Sequence, residues 1–188
     1  MSAAAPARPS LAAGLTWWAL AFPAIMVLAL VRHDLFWLNW IPVLTGVLWT
    51  GADIFYGFIL GPVIRRLDPP ARTGLIAYLV PRTLLYFPSV SLTTGTAGWY
   101  LASWLGMTVP GHPQFAWIVG ALVLITLMTI LGLGILTPNS VRIWLELRRP
   151  EPDREFIVRL NRYNILLAAA QGVMQVAIIV VMAHLTLG

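Results

Sequence analysis

Residues 39–66 read NWIPVLTGVLWTGADIFYGFILGPVIRR. The stretch is long enough to cross a bilayer and ends in the paired arginines Arg65 and Arg66. Near its middle stands one carboxylate, Asp53. A charge at that depth is expensive, so an ionisable residue inside a span marks a functional site by default.

Composition carries the same message outward. Of 188 residues, 59% are hydrophobic and 10% charged, against roughly 25% charged in a soluble domain. So much apolar surface needs the bilayer as its solvent. A span takes about 20 apolar residues, so the length allows five or six spans joined by short loops. All the basic side chains are arginines placed beside spans rather than on a separate basic face, which argues against a nucleic-acid partner. The chain has no cysteine, which excludes disulfides and thiol ligation.

Five apolar segments predict an all-α bundle of five transmembrane helices in one membrane domain. Residues 1–10 form a short tail. The spans are expected at about 11–31, 37–64, 75–105, 115–136 and 165–187, with an amphipathic cytoplasmic connection over 138–162. Arg65, Arg66 and Arg72 follow the second span, and six arginines between Arg142 and Arg162 follow the fourth. The positive-inside rule then places the N-terminus inside and the C-terminus outside. No long-period repeat is visible.

Three constellations carry chemistry. Asp53 and Arg82 fall at comparable depth on consecutive spans, roughly 18 and 12 Å from the same end at 1.5 Å per residue. They predict an intramembrane ion pair, acting either as a register pin or as a proton or anion relay. The third possibility is an Arg82 that snorkels toward the interface. Tyr56 and Tyr86 share a face with Asp53 and Arg82 respectively, by i+3 and i+4 spacing. His33, His112 and His184 all fall at the outer end, level with Met107 and Met182. Imidazole and thioether suit copper, although each histidine comes from a different segment and no spacing forms a metal motif. Asn164, Gln171 and Gln175 lie on one face of the last helix, as interhelical hydrogen-bonding groups or a polar lining. Gly57 and Gly61 form a GxxxG pair, and Gly95 and Gly98 extend a small-residue ridge; both predict close helix packing.

In the second span, Pro42-Val43-Leu44-Thr45-Gly46-Val47-Leu48-Trp49-Thr50-Gly51, then Pro62, Arg65 and Arg66, resembles a shared motif of small bacterial membrane proteins. These are the copper-resistance CopD-type proteins, the HemJ-type protoporphyrinogen oxidases and the membrane part of one urate oxidase class. The motif runs His-x-x-x-(small)-x-x-Trp-x-Gly, then Pro and basic residues. The small, Trp, Gly and Pro positions match, as does the look of Thr94-Gly95; the histidine position falls on Pro42. The resemblance covers about residues 39–186 and implies a four-helix antiparallel unit behind an extra first helix. Without the histidine it does not carry haem binding with it.

These readings lead to a non-catalytic subunit or accessory module of a larger assembly in a bacterial inner membrane, partnered by lipid and by other membrane subunits or copies of itself. A small ion, proton or copper transporter using Asp53 and Arg82 or the outer histidines is the alternative. A redox protein associated with haem or quinone is the third. The sequence requires no cofactor and shows no catalytic motif, which weighs against an enzyme.

Overall fold

The computed structural model describes residues 14–187; the tail expected over residues 1–10 lies outside them. Among the described residues the secondary structure is helical, without a strand. After a 3-10 turn, Trp17–Leu20, come α1 (Ala21–Arg32), α2 (Leu35–Arg66), α3 (Pro69–Trp104), α4 (Phe115–Leu147) and α5 (Arg154–Leu187). Four of these, α2 to α5, are long and apolar enough to cross a membrane, so the chain is a multi-pass helical membrane protein. Trp17–Val31 falls short of that length. Its start lies beside the middle of α3: the Thr16 hydroxyl donates to the Arg82 carbonyl, and a Cβ on Gly14 would meet Pro81 at 2.8 Å.

Each turn has a local cause. His33 takes a left-handed conformation (φ 50°) that ends α1, and Asp34 then caps α2 by accepting from the Phe36 and Trp37 amides. A side-chain oxygen there satisfies amides that a helix start leaves unpaired. At the other end, Arg72 of α3 reaches back and donates to the carbonyls of Ile64, Arg65 and Leu67, closing the α2–α3 hairpin. Asp153 caps α5 through the Phe156 amide. Its own amide donates to buried Glu146, which also pairs with Arg149 at 2.9 Å.

The four long helices form a ring in chain order. α3 packs against α2 and α4, and α5 packs against α4 and α2, while α1 lies on α2 and α3. The α2–α5 seam is the tightest. A Cβ on Gly57 would fall 2.7 Å from the Ala169 Cβ, and one on Gly61 would fall 2.6 Å from Ile165. One step along, a Cβ on Gly172 would meet Ile54 at 3.3 Å. These pairs advance in opposite directions, so the helices run antiparallel in one fixed register. Gly95 faces Ile125 of α4 at 3.4 Å, whereas nothing stands within 4 Å of a Cβ at Gly98; that glycine does not take part in the ridge expected of it.

The segment expected as an amphipathic connection is mostly bundle. α4 continues through Pro138 to Leu147 and α5 begins at Arg154. Ile143 and Ile157 are fully buried against Ile76 and Val80. Their apolar faces, not an interface, account for the amphipathic pattern over 141–149. α4 stays continuous because residues Gly132–Leu136 widen into a π-helical turn just before Pro138. α2 does the same over Phe55–Leu60, before Pro62.

The contrast between two glycines tests the seam. Gly57→Ala should cost about 1–3 kcal/mol from overpacking against the α5 backbone. Gly98→Ala should be neutral or stabilising by about 0.5–1 kcal/mol, since it only removes glycine's backbone freedom. Unfolding of the purified variants in mild detergent by titrated sodium dodecyl sulfate measures both.

Candidate functional site

Between two apolar plugs the bundle carries a polar layer. One plug holds Phe22, Met26, Leu38, Ile41, Val90 and Met128. The other is Ile76, Val80, Ile143 and Ile157. Asp53 lies between them and is 1% exposed. Its Oδ2 accepts from the Gln175 Nε2 at 3.0 Å, and the Trp49 side chain, one turn earlier on α2, is a further donor to the same carboxylate.

α5 supplies the rest of the layer. Asn161, Asn164, Gln171 and Gln175 are all buried, and their spacing of three, seven and four residues keeps them on one helix face. Asn164 accepts from Asn139 of α4 at 3.1 Å and donates to the Ser140 hydroxyl at 3.2 Å. A cavity of about 50 Å³ runs beside this face. Asp53, Tyr56, Thr83, Ser91, Thr137 and Gln171 are among its lining residues. A cavity with polar partners holds a water once it offers roughly 10–15 Å³, so this one, its polar groups set among apolar side chains, has the volume for a few. Two buried acceptors on this face, Gln171 Oε1 in the cavity wall and Gln175 Oε1 one turn on, have no hydrogen-bond partner among the described residues.

Both π-helical turns flank this cavity: Tyr56 belongs to the turn in α2, and Gly132, Leu133 and Leu136 to the turn in α4. Such turns gather at functional sites because they re-aim side chains and loosen backbone hydrogen bonds. In α4 the Thr137 hydroxyl takes up the Gly132 carbonyl at 2.9 Å. Sequence reasoning missed both. The signal available was a recurring Ile-Leu-x-Pro with glycines around it: Ile59-Leu60-Gly61-Pro62 and Ile135-Leu136-Thr137-Pro138. A proline cannot donate to the carbonyl four residues back, and its ring crowds that carbonyl. Proline alone is not the cause, because Pro42, Pro81 and Pro88 sit inside ordinary α-helix; the glycines set these two turns apart.

The structure corrects the expected ion pair. Arg82 is exposed, donates to the Tyr78 carbonyl at 2.8 Å and lies over the Tyr78 ring. It extends toward the arginine-rich end of the bundle, the snorkelling arrangement. The two residues stand on neighbouring helices but not on facing sides. Val80, Thr83, Leu84 and Phe87 line the cavity, and Arg82 sits roughly 200° around the helix from Val80 and from Leu84. Tyr86 shares the Arg82 side: its hydroxyl donates to the Leu48 carbonyl at 3.0 Å and its ring meets Trp18. Tyr56 stays with Asp53 in the cavity.

The histidines are kept apart by other contacts. His33 stacks on Trp104 with centroids 5.1 Å apart, and His184 lies on Trp117 at 4.0 Å. His112 Nδ1 accepts from the Gln114 amide. Among the described residues no three His, Cys, Asp or Glu side chains gather as metal ligands, so the outer copper set does not form.

Arg82 and Gln175 should therefore respond oppositely to substitution. Arg82→Gln should change stability by no more than about 0.5 kcal/mol, as an exposed position does. Gln175→Leu should cost about 1–3 kcal/mol by removing the Gln175 donor from a buried carboxylate. Detergent unfolding curves of the two variants read the difference; an Arg82→Gln loss as large as that of Gln175→Leu would restore a coupling between Arg82 and the site.

Comparison with family models, with curated proteins and with solved structures finds no match for this chain. The chemistry of Asp53 and the carboxamides around it is the ground on which a function can be argued.

Proposed function

We propose that this chain handles ions inside a membrane, taking up and releasing a proton or a small cation at a carboxylate–carboxamide site centred on Asp53. One observation carries the reading. A carboxylate buried in the middle of the bundle lines a cavity that Gln171 also lines and accepts from Gln175, and among the described residues no basic side chain pairs with it. A structural pin would need a partner that neutralises the charge, because burying an uncompensated carboxylate is costly. Asp53 is instead left with room and ligands for a mobile positive charge.

The interrupted helices support the same place. In transporters built from two halves, glycine- and proline-interrupted segments at corresponding positions point to the binding site. Here the two Ile-Leu-x-Pro turns flank the cavity from opposite sides of the ring. The setting we favour is a bacterial inner membrane with the arginine-rich turns, after α2 and between α4 and α5, on the cytoplasmic side. The likeness of Pro42–Gly51 to the CopD-type group fits a small inner-membrane bundle of this kind.

The test is ion flux in proteoliposomes of purified protein under an imposed pH gradient and membrane potential, read with a trapped pH dye. Wild type should dissipate the gradient, and Asp53→Asn, reconstituted to the same level, should be at least tenfold slower. Equal flux in both would overturn the assignment of Asp53. If neither moves ions, and Asp53→Asn loses co-purifying membrane subunits instead, the accessory-subunit reading replaces this one.

A further inference from the structure

The polar layer has an imbalance that points to its occupant. The acceptors of this layer are the two Asp53 oxygens and, without a hydrogen-bond partner among the described residues, Gln171 Oε1 and Gln175 Oε1; Asp53 and Gln171 line the same cavity, and Gln175 is bonded to Asp53. The donors on the carboxylate are Gln175 Nε2 and the Trp49 side chain. Because Gln175 must turn its amide nitrogen toward the carboxylate, its oxygen is left over. Gln171, one turn away on the same face of α5, leaves a second oxygen unpaired at 2% exposure. Buried acceptors without donors are costly, and here two of them belong to the same buried layer as a carboxylate.

We infer that this layer is a binding site for a partly dehydrated monovalent alkali cation, ligated by the Asp53 carboxylate and the side-chain oxygens of Gln171 and Gln175. The inference rests on the ion-handling reading and names its ligand. Hard cations take oxygen ligands, carboxylate and carboxamide among them. One positive charge on one carboxylate leaves the buried site neutral. A divalent ion would strand a net positive charge between two apolar plugs, and calcium asks for six to eight oxygens. The cavity of about 50 Å³ leaves room for a small ion with few waters, so sodium is the ion to test first. The seam holds the ligands in place: a Cβ on Gly172 would lie 3.7 Å from the Asp53 Cβ, so the α5 backbone passes the aspartate with Gln171 and Gln175 on either side.

The experiment uses the full-length protein in detergent at constant pH and ionic strength. Sodium, lithium or potassium chloride replaces N-methylglucamine chloride, and the readouts are the unfolding midpoint and equilibrium binding of radioactive sodium. A ligand at about a hundred times its Kd should raise the midpoint by roughly 5 °C or more. Sodium should do so in wild type and fail to do so in Asp53→Asn and in Gln171→Leu, the second variant covering the case in which the first folds poorly. A midpoint indifferent to alkali cations overturns the cation site; if proton flux still depends on Asp53, the broader reading survives that failure. A sodium shift that persists in both variants places the ion elsewhere and also overturns the proposal.

Discussion

The structure depends on how closely α2 and α5 approach. At Gly57 there is no room for a methyl group before the Ala169 backbone, and at Gly61 none before Ile165. Bilayer lipid offers helices no hydrophobic reason to associate, so packing of small residues and interhelical hydrogen bonds must do it. Because that contact admits one register, it also decides which side chains meet one turn further on. Asp53 arrives opposite Gly172 and Gln175 rather than opposite an aliphatic face. The helix packing and the chemical site are consequences of a single seam.

Around that seam the bundle sorts its polar groups by layer. The apolar plug beside α1 and the plug of Ile76, Val80, Ile143 and Ile157 contain the fully buried aliphatic side chains. Asp53, the two glutamines and the asparagines lie between. The asparagines answer one another across α4 and α5 and are a self-contained link. The glutamines are not, since each keeps a bare oxygen. Fully satisfied networks fix a structure, while partly satisfied ones demand something more at the site. That difference separates the half of the layer that holds helices together from the half that can hold a ligand.

Much of this was legible in the sequence, for reasons of local physics. Span-length apolar runs disclose helices that must satisfy their own backbones. Asp53 was conspicuous because a carboxylate in such a run is costly to bury. The spacing of Asn164, Gln171 and Gln175 put them on one face, and the Gly57–Gly61 pair announced a close contact. What the sequence could not supply was azimuth. Counting along the spans put Arg82 and Asp53 at comparable depth, yet the face of α3 that bears Arg82 turns away from the cavity. The histidines agree in level, yet each is held by a different aromatic ring or backbone amide. Depth follows from counting residues along one helix, whereas facing depends on every neighbour at once. The polarity of 138–162 misled in a related way, since an amphipathic pattern does not say whether its apolar stripe meets lipid or a packed partner.

The two π-helical turns show how a bundle can hold one charge at its centre without an opposite one. α2 and α4 carry the same Ile-Leu-x-Pro interruption and face each other across the ring, but only α2 brings an ionisable group. α4 contributes glycine, the Thr137 and Ser140 side chains and two leucines to the cavity wall. Had α4 placed an arginine there, the pair would be closed and the glutamine oxygens would have nothing to do. With Gly132 instead, the side chain of Gln171 lies against bare backbone: a Cβ there would come within 3.7 Å of its amide. The Gln171 carboxamide packs in ordinary contact against the α4 backbone, in the wall of the cavity that Asp53 also lines. The negative charge is thereby surrounded by neutral dipoles that can turn an oxygen toward a cation or a nitrogen toward the carboxylate. Such a surrounding accommodates the site with and without its positive charge, which a fixed arginine could not do.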